Sequence, residues 1–125
     1  MLTRLRVLIA AVVVLAALPA AATAASPKKG GTYKGETSNG VKLVLKVEPS
    51  GKTGKADLFC SRSHISAIRS FPITGGRFRG IRKTGDVKIF SIKGRFTTQT
   101  TAKVTVSLKA ACAGGDHQLT LSLAS

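Results

Sequence analysis

"GTYKGETSNGVKLVLKVEPSG", residues 31–51, is the stretch that decides the fold class. Val41, Leu43, Leu45 and Val47 fall on one side of an extended chain and Lys42, Lys46 and Glu48 on the other, the period of two that a half-buried strand imposes. Asn39-Gly40 before the run is a hairpin signal, since both residues tolerate the positive φ of a type I′ turn, and Pro49-Ser50-Gly51 ends the run.

The same period continues outward from this stretch. "KADLFC" places Ala56, Leu58 and Cys60 in one phase, and "TAKVTVSLKAAC" sets Ala102, Val104, Val106, Leu108 and Ala110 against Lys103, Thr105, Ser107 and Lys109. "HQLTLSLAS" closes the chain with Leu119, Leu121 and Leu123 in phase. Gly75-Gly76 and Thr84-Gly85-Asp86 supply turns around "SFPITGGRFRGI", and "DVKIFSIKGRFTT" is more continuously apolar, which predicts a bulge at Gly94. "SRSHISAIRS", residues 61–70, shows no clear period and reads as a loop or a short helical turn. Seven or eight short strands of this kind predict an all-β, antiparallel β-sandwich, with a small β-barrel as the alternative.

Residues 1–25 have the form of a secretory signal: Arg4 and Arg6, the uncharged block Val7 to Leu18, then small residues after Pro19. Cleavage near Ala25 is expected to leave a flexible leader, 26–30, and one domain, 31–125. An uncleaved segment would be the chain's only contact with a membrane. Removing Arg4 and Arg6 from the formal charge of +15 leaves +13, carried by 18 Lys and Arg against five acids. Such a balance favours polyanionic partners. With no Trp, five Phe and one Tyr, stacking surfaces are scarce, so no specific nucleic-acid target is expected.

Two segments carry both the cysteines and the histidines: "CSRSH" at 60–64 and "CAGGDH" at 112–117. They could supply two thiolates and two imidazoles to zinc, but the spacing departs from the paired Cys-Cys and His-His pattern of zinc fingers, and exported thiols oxidise. Strand phase turns both sulfurs inward on different strands. A Cys60–Cys112 disulfide is therefore expected, with no metal; closing a loop of about 50 residues, it would contribute up to about 4 kcal/mol.

Other signatures fail on their own terms. Gly51-Lys52-Thr53 is the end of no phosphate loop, because the glycine it needs five residues earlier is Lys46. There is no G-x-S-x-G elbow, and the five acids sit beside turns or among lysines. A small hydrolase with a triad across strands, drawing on His64 or His117 with an Asp or Ser, is the remote alternative.

The remaining candidate is "RFRGIRKTGDVKIFSIKGR", residues 77–95, where Arg77, Arg79, Arg82, Lys83, Lys88, Lys93 and Arg95 face a single acid, Asp86. Arginine forks suit phosphate and carboxylate geometry. A charged coat that keeps strand edges apart explains the cations equally well.

The opening "GTYKGET", a cysteine after a mid-chain strand, "FPITGGRFRG" and a late cysteine together resemble the small secreted two-cysteine β-domain proteins of high-GC Gram-positive bacteria. The resemblance covers most of the chain after residue 25. It implies a fold and brings no catalytic residue. The expectation is a secreted, extracellular, non-enzymatic β-domain without cofactor, binding anionic extracellular or envelope polymers. An exported protein-binding module or enzyme inhibitor using the 61–70 segment is the alternative.

Overall fold

The computed structural model describes residues 23–109, 112 and 114–125; most of the expected signal peptide, residues 1–22, lies outside them. Eight antiparallel strands run in chain order: β1 (Thr32–Glu36), β2 (Val41–Val47), β3 (Thr53–Cys60), β4 (Ser63–Thr74), β5 (Arg77–Thr84), β6 (Val87–Thr98), β7 (Thr101–Leu108) and β8 (Gly115–Leu123). Each pairs with its neighbour in sequence, and β1 pairs with β8 through Tyr33↔Leu123 and Lys34↔Ser122, closing a barrel.

The sandwich expectation is thus corrected to its alternative. Alternating burial is identical in the two architectures. What separates them is whether the first and last strands bond to each other, a contact between opposite ends of the chain that no local pattern encodes. Closure depends on Gly35, where a Cβ would lie 2.5 Å from the Thr120 carbonyl oxygen of β8. Any larger residue would hold the seam open.

An eight-stranded barrel is just wide enough for side chains to fill its interior. Here Tyr33, Leu43, Leu58, Phe71, Phe78, Phe90, Ile92, Phe96, Val104 and Leu121 are among the residues that do so, and no polar or charged residue is in the buried set. Gly94 was expected to mark a bulge, yet register runs unbroken through it (Phe78↔Gly94, Gly94↔Val104). Its role is close approach: a Cβ there would lie 2.7 Å from the Phe78 ring and 2.5 Å from the Lys103 carbonyl oxygen. The irregularities fall instead at Arg82/Lys83 and at Phe96/Thr98.

The turns refine the hairpin reading. Gly75 and Gly76, both at positive φ, form a two-residue loop between Thr74 and Arg77. Before β2, only Gly40 has positive φ (83°), and the Thr37 N–H donates to the Val41 carbonyl across a three-residue loop. That is a type I turn with a glycine bulge rather than the type I′ turn expected of Asn39-Gly40.

Residues 61–70, expected as a loop or a short helical turn, belong mostly to β4. Their period was hidden because Ser63, His64 and Ile65 are exposed, beyond the packed interior, where no alternation is required. Residues Ile81–Lys88 of the β5–β6 hairpin are likewise all exposed.

Ala25, the last residue of the expected signal, and the expected flexible leader, 26–30, are fastened across one end of the barrel. The Ala25 N–H donates to the Phe96 carbonyl (2.7 Å), the Gly30 N–H to the Glu48 carbonyl (3.3 Å) and the Lys28 N–H to the Tyr33 hydroxyl (2.8 Å). That hydroxyl in turn donates to the Gln99 carbonyl. A buried tyrosine thus satisfies its polar atom by tying the leader to the β6–β7 turn.

Cys60 and Cys112 are joined in a disulfide, with Cα atoms 5.5 Å apart. The expected pairing holds, but its setting is corrected. β7 ends at Leu108, and Cys112 lies in the connection to β8 at positive φ (52°), so the half-buried bridge caps the barrel rim rather than crossing its core. It links the end of β3 to the β7–β8 connection.

Candidate functional site

Register on β5, β6 and β7 determines which cations meet. On the outer face, three rows run across the strands: Arg77↔Arg95↔Lys103, Arg79↔Lys93↔Thr105 and Ile81↔Ser91↔Ser107. Residues opposite one another in an antiparallel pair have Cβ atoms about 4.5–5.5 Å apart, and like charges there repel. Arg77 faces Arg95, Arg95 faces Lys103, and Arg79 faces Lys93, with no carboxylate in these three rows.

The acids lie elsewhere. Glu48 pairs with Lys55 at 3.9 Å and Asp57 with His64 at 3.0 Å, on the β2–β4 side of the barrel. Asp116 continues the third row on β8, opposite Ser107. Asp86 sits in the β5–β6 turn and Glu36 on β1, so carboxylates are absent from the rows on β5–β7 without being confined to one side of the wall.

Of the seven expected residues, Arg77, Arg79, Lys93 and Arg95 converge on this face, and Lys88 lines its edge. Arg82 does not join them. It stands opposite Phe90, in phase with the core, but beyond the packed interior and exposed. Lys83, past the register irregularity, faces Lys88 near the hairpin tip.

Lys103 was missed. Alternation along β7 does turn it outward, but the β6–β7 register places it beside Arg95. The turn alone, with Thr98 opposite Thr101, would put Val104 opposite Arg95, and the irregularity between Phe96 and Thr98 shifts the pairing by one residue.

Among the depressions on this face, two adjoin over the β6–β7 rows. One, of about 400 Å³, is lined by Arg79, Ile81, Lys88, Ser91, Lys93 and Ser107, together with Thr105. The other, of about 310 Å³, is lined by Arg77, Lys93, Arg95, Lys103, Thr105 and Gln118. Lys93 and Thr105 belong to both.

The histidines lie in other surroundings. His64 holds Asp57 through Nε2 and sets its ring edge-on to Phe59 at 5.2 Å, on the exposed β3–β4 hairpin. His117 donates from Nε2 to the Gly114 carbonyl at 2.8 Å, near the disulfide rim. Since both sulfurs are bonded to each other, the Cys2His2 alternative has no thiolates. Among the described residues, no group of three or more His, Cys, Asp and Glu gathers as a metal site.

No family model matches the chain, and no curated protein does. A crystal structure described as a "putative beta-lactamase" from Burkholderia vietnamiensis is similar at a TM-score of 0.44 and 13% identity, over 78% of this chain and 93% of that one. At that level the similarity carries no argument about fold detail or activity.

Proposed function

We propose that the protein is a secreted, non-enzymatic binding module that holds anionic extracellular or cell-envelope polymers against the outer face of β5, β6 and β7. One observation carries the reading: like charges face each other across central strands, at Arg77↔Arg95, Arg79↔Lys93 and Arg95↔Lys103. Edge protection does not account for them, because a closed barrel has no edge to protect. Solubility would be served as well by scattered cations, without the repulsion. A polyanion lying over the rows would relieve that repulsion, and the disulfide suits an oxidising extracellular setting.

Binding to immobilised heparin at low ionic strength, followed by elution in a salt gradient, tests the proposal. Retention that falls steeply with salt is expected. No retention at low salt would overturn it, and capture of one exported protein that survives moderate salt would favour the protein-binding alternative instead.

A further inference from the structure

We infer that the larger depression is a subsite for one phosphate of a polyol-phosphate chain and that the smaller one takes the next phosphate along. The inference rests on the polyanion reading above and narrows it to a ligand class. It starts from groups that charge alone does not require. Ser91 and Ser107 stand directly opposite each other on β6 and β7, both lining the larger depression, with Arg79 and Lys93 in the adjacent row and Lys88 at the edge. Neither serine hydroxyl bonds to another described residue. Thr105 is different, for its hydroxyl donates to Gln118 Oε1 at 3.3 Å.

Two rotatable hydroxyl donors flanked by a guanidinium fork and two ammonium groups match the non-bridging oxygens of a phosphodiester. Ile81, 44% exposed, forms an apolar wall of the same depression. A hydrated ion has no use for that wall, whereas the carbon links of a polyol can lie against it. Asp116 stands opposite Ser107 on β8 and is not among the residues that line the depression.

Spacing supplies the second argument. The two depressions share Lys93 and Thr105 and extend from that row to the rows on either side, successive rows lying two residues or about 7 Å apart along a strand. That is the interval of successive phosphates joined through a three-carbon bridge. Single-stranded nucleic acid has a similar interval, but the three rows hold no aromatic side chain on which bases could stack. A glycerol-phosphate type of chain needs none.

The test compares three probes on the intact exported domain at low salt: a glycerol-phosphate oligomer, an oligothymidylate with the same number of phosphates, and heparin. The wild type is expected to bind the glycerol-phosphate oligomer more tightly than oligothymidylate. Ser91→Ala with Ser107→Ala should weaken the glycerol-phosphate oligomer about tenfold and leave heparin unchanged, while Ser91→Thr with Ser107→Thr retains affinity. A thermal melt of each variant monitors folding. Unchanged affinity of the alanine variant for the glycerol-phosphate oligomer, or an equal loss on heparin, overturns the subsite and leaves the polyanion reading standing. Tighter binding of oligothymidylate by the wild type overturns the ligand class. Failure of every probe to bind overturns both.

Discussion

Arg79 and Lys93 are placed where each raises the energy of the other. If that repulsion is kept for the sake of a ligand, removing one partner should move stability and binding in opposite directions. Arg79→Gln is expected to raise stability by a few tenths of a kcal/mol, up to about 1 kcal/mol, while lowering the slope of log K against log salt by about 0.7. Paired urea melts and binding titrations read both signs. A second residue-scale prediction concerns Gly94, where a Cβ would meet the Phe78 ring at 2.7 Å and the Lys103 carbonyl at 2.5 Å. Gly94→Ala should cost about 1–3 kcal/mol. Phe78→Leu in the same chain should recover part of that loss, because the two positions share one space. Additive losses in the melts would show that Phe78 is not the obstruction.

Among the elements, the disulfide and the projecting hairpins make opposite predictions about stiffness. The Cys60–Cys112 bridge closes a 52-residue separation between the end of β3 and the β7–β8 connection. Replacing both cysteines by serine should lower stability by up to about 4 kcal/mol, measured as the shift in urea midpoint, and denatured, unreduced wild type should show no reactive thiol. Residues Ser63–Ile65 of β4 and Ile81–Lys88 of the β5–β6 hairpin are all exposed and contribute nothing to the buried core. Their amides should exchange with deuterium well before those of Ala56, Ile92 and Val106, a ranking that hydrogen-exchange mass spectrometry resolves.

The same elements explain what the sequence disclosed. Strands β2, β7 and β8 were legible because one face of each lies in the barrel interior, so selection for burial wrote the period of two into Val41–Val47, Ala102–Leu108 and Leu119–Leu123. The beginning of β4 was not, since Ser63, His64 and Ile65 reach past the interior. The cysteine pairing could be reasoned from the expected compartment, whereas strand phase, carried on to Cys112, assumed a β7 longer than the one that ends at Leu108. The bridge's place on the rim could not be reasoned, because the end of β7 depends on where β8 stops pairing. Four members of the cationic face lay in the charge-dense stretch 77–95, whereas Lys103 required a register shifted by an irregularity between Phe96 and Thr98.

On the scale of the whole molecule, closure changes the meaning of the charge. In an open sheet, lysines and arginines on exposed strands guard the edges; in this barrel every strand has two partners. The informative property is then local: like charges face each other at three positions on β5–β7, in rows that hold no carboxylate on those strands. Net charge alone would make any cation equivalent to any other. A face makes them unequal.

That inequality is the central claim, and one comparison measures it. Salt-dependent heparin affinity is determined for Arg79→Gln/Lys93→Gln/Arg95→Gln and for Lys34→Gln/Lys46→Gln/Arg69→Gln, which removes the same charge from β1, β2 and β4. The first variant should lose most of its low-salt affinity and have its salt slope reduced by about 2, while the second stays close to wild type. Equal losses in the two variants would contradict the account.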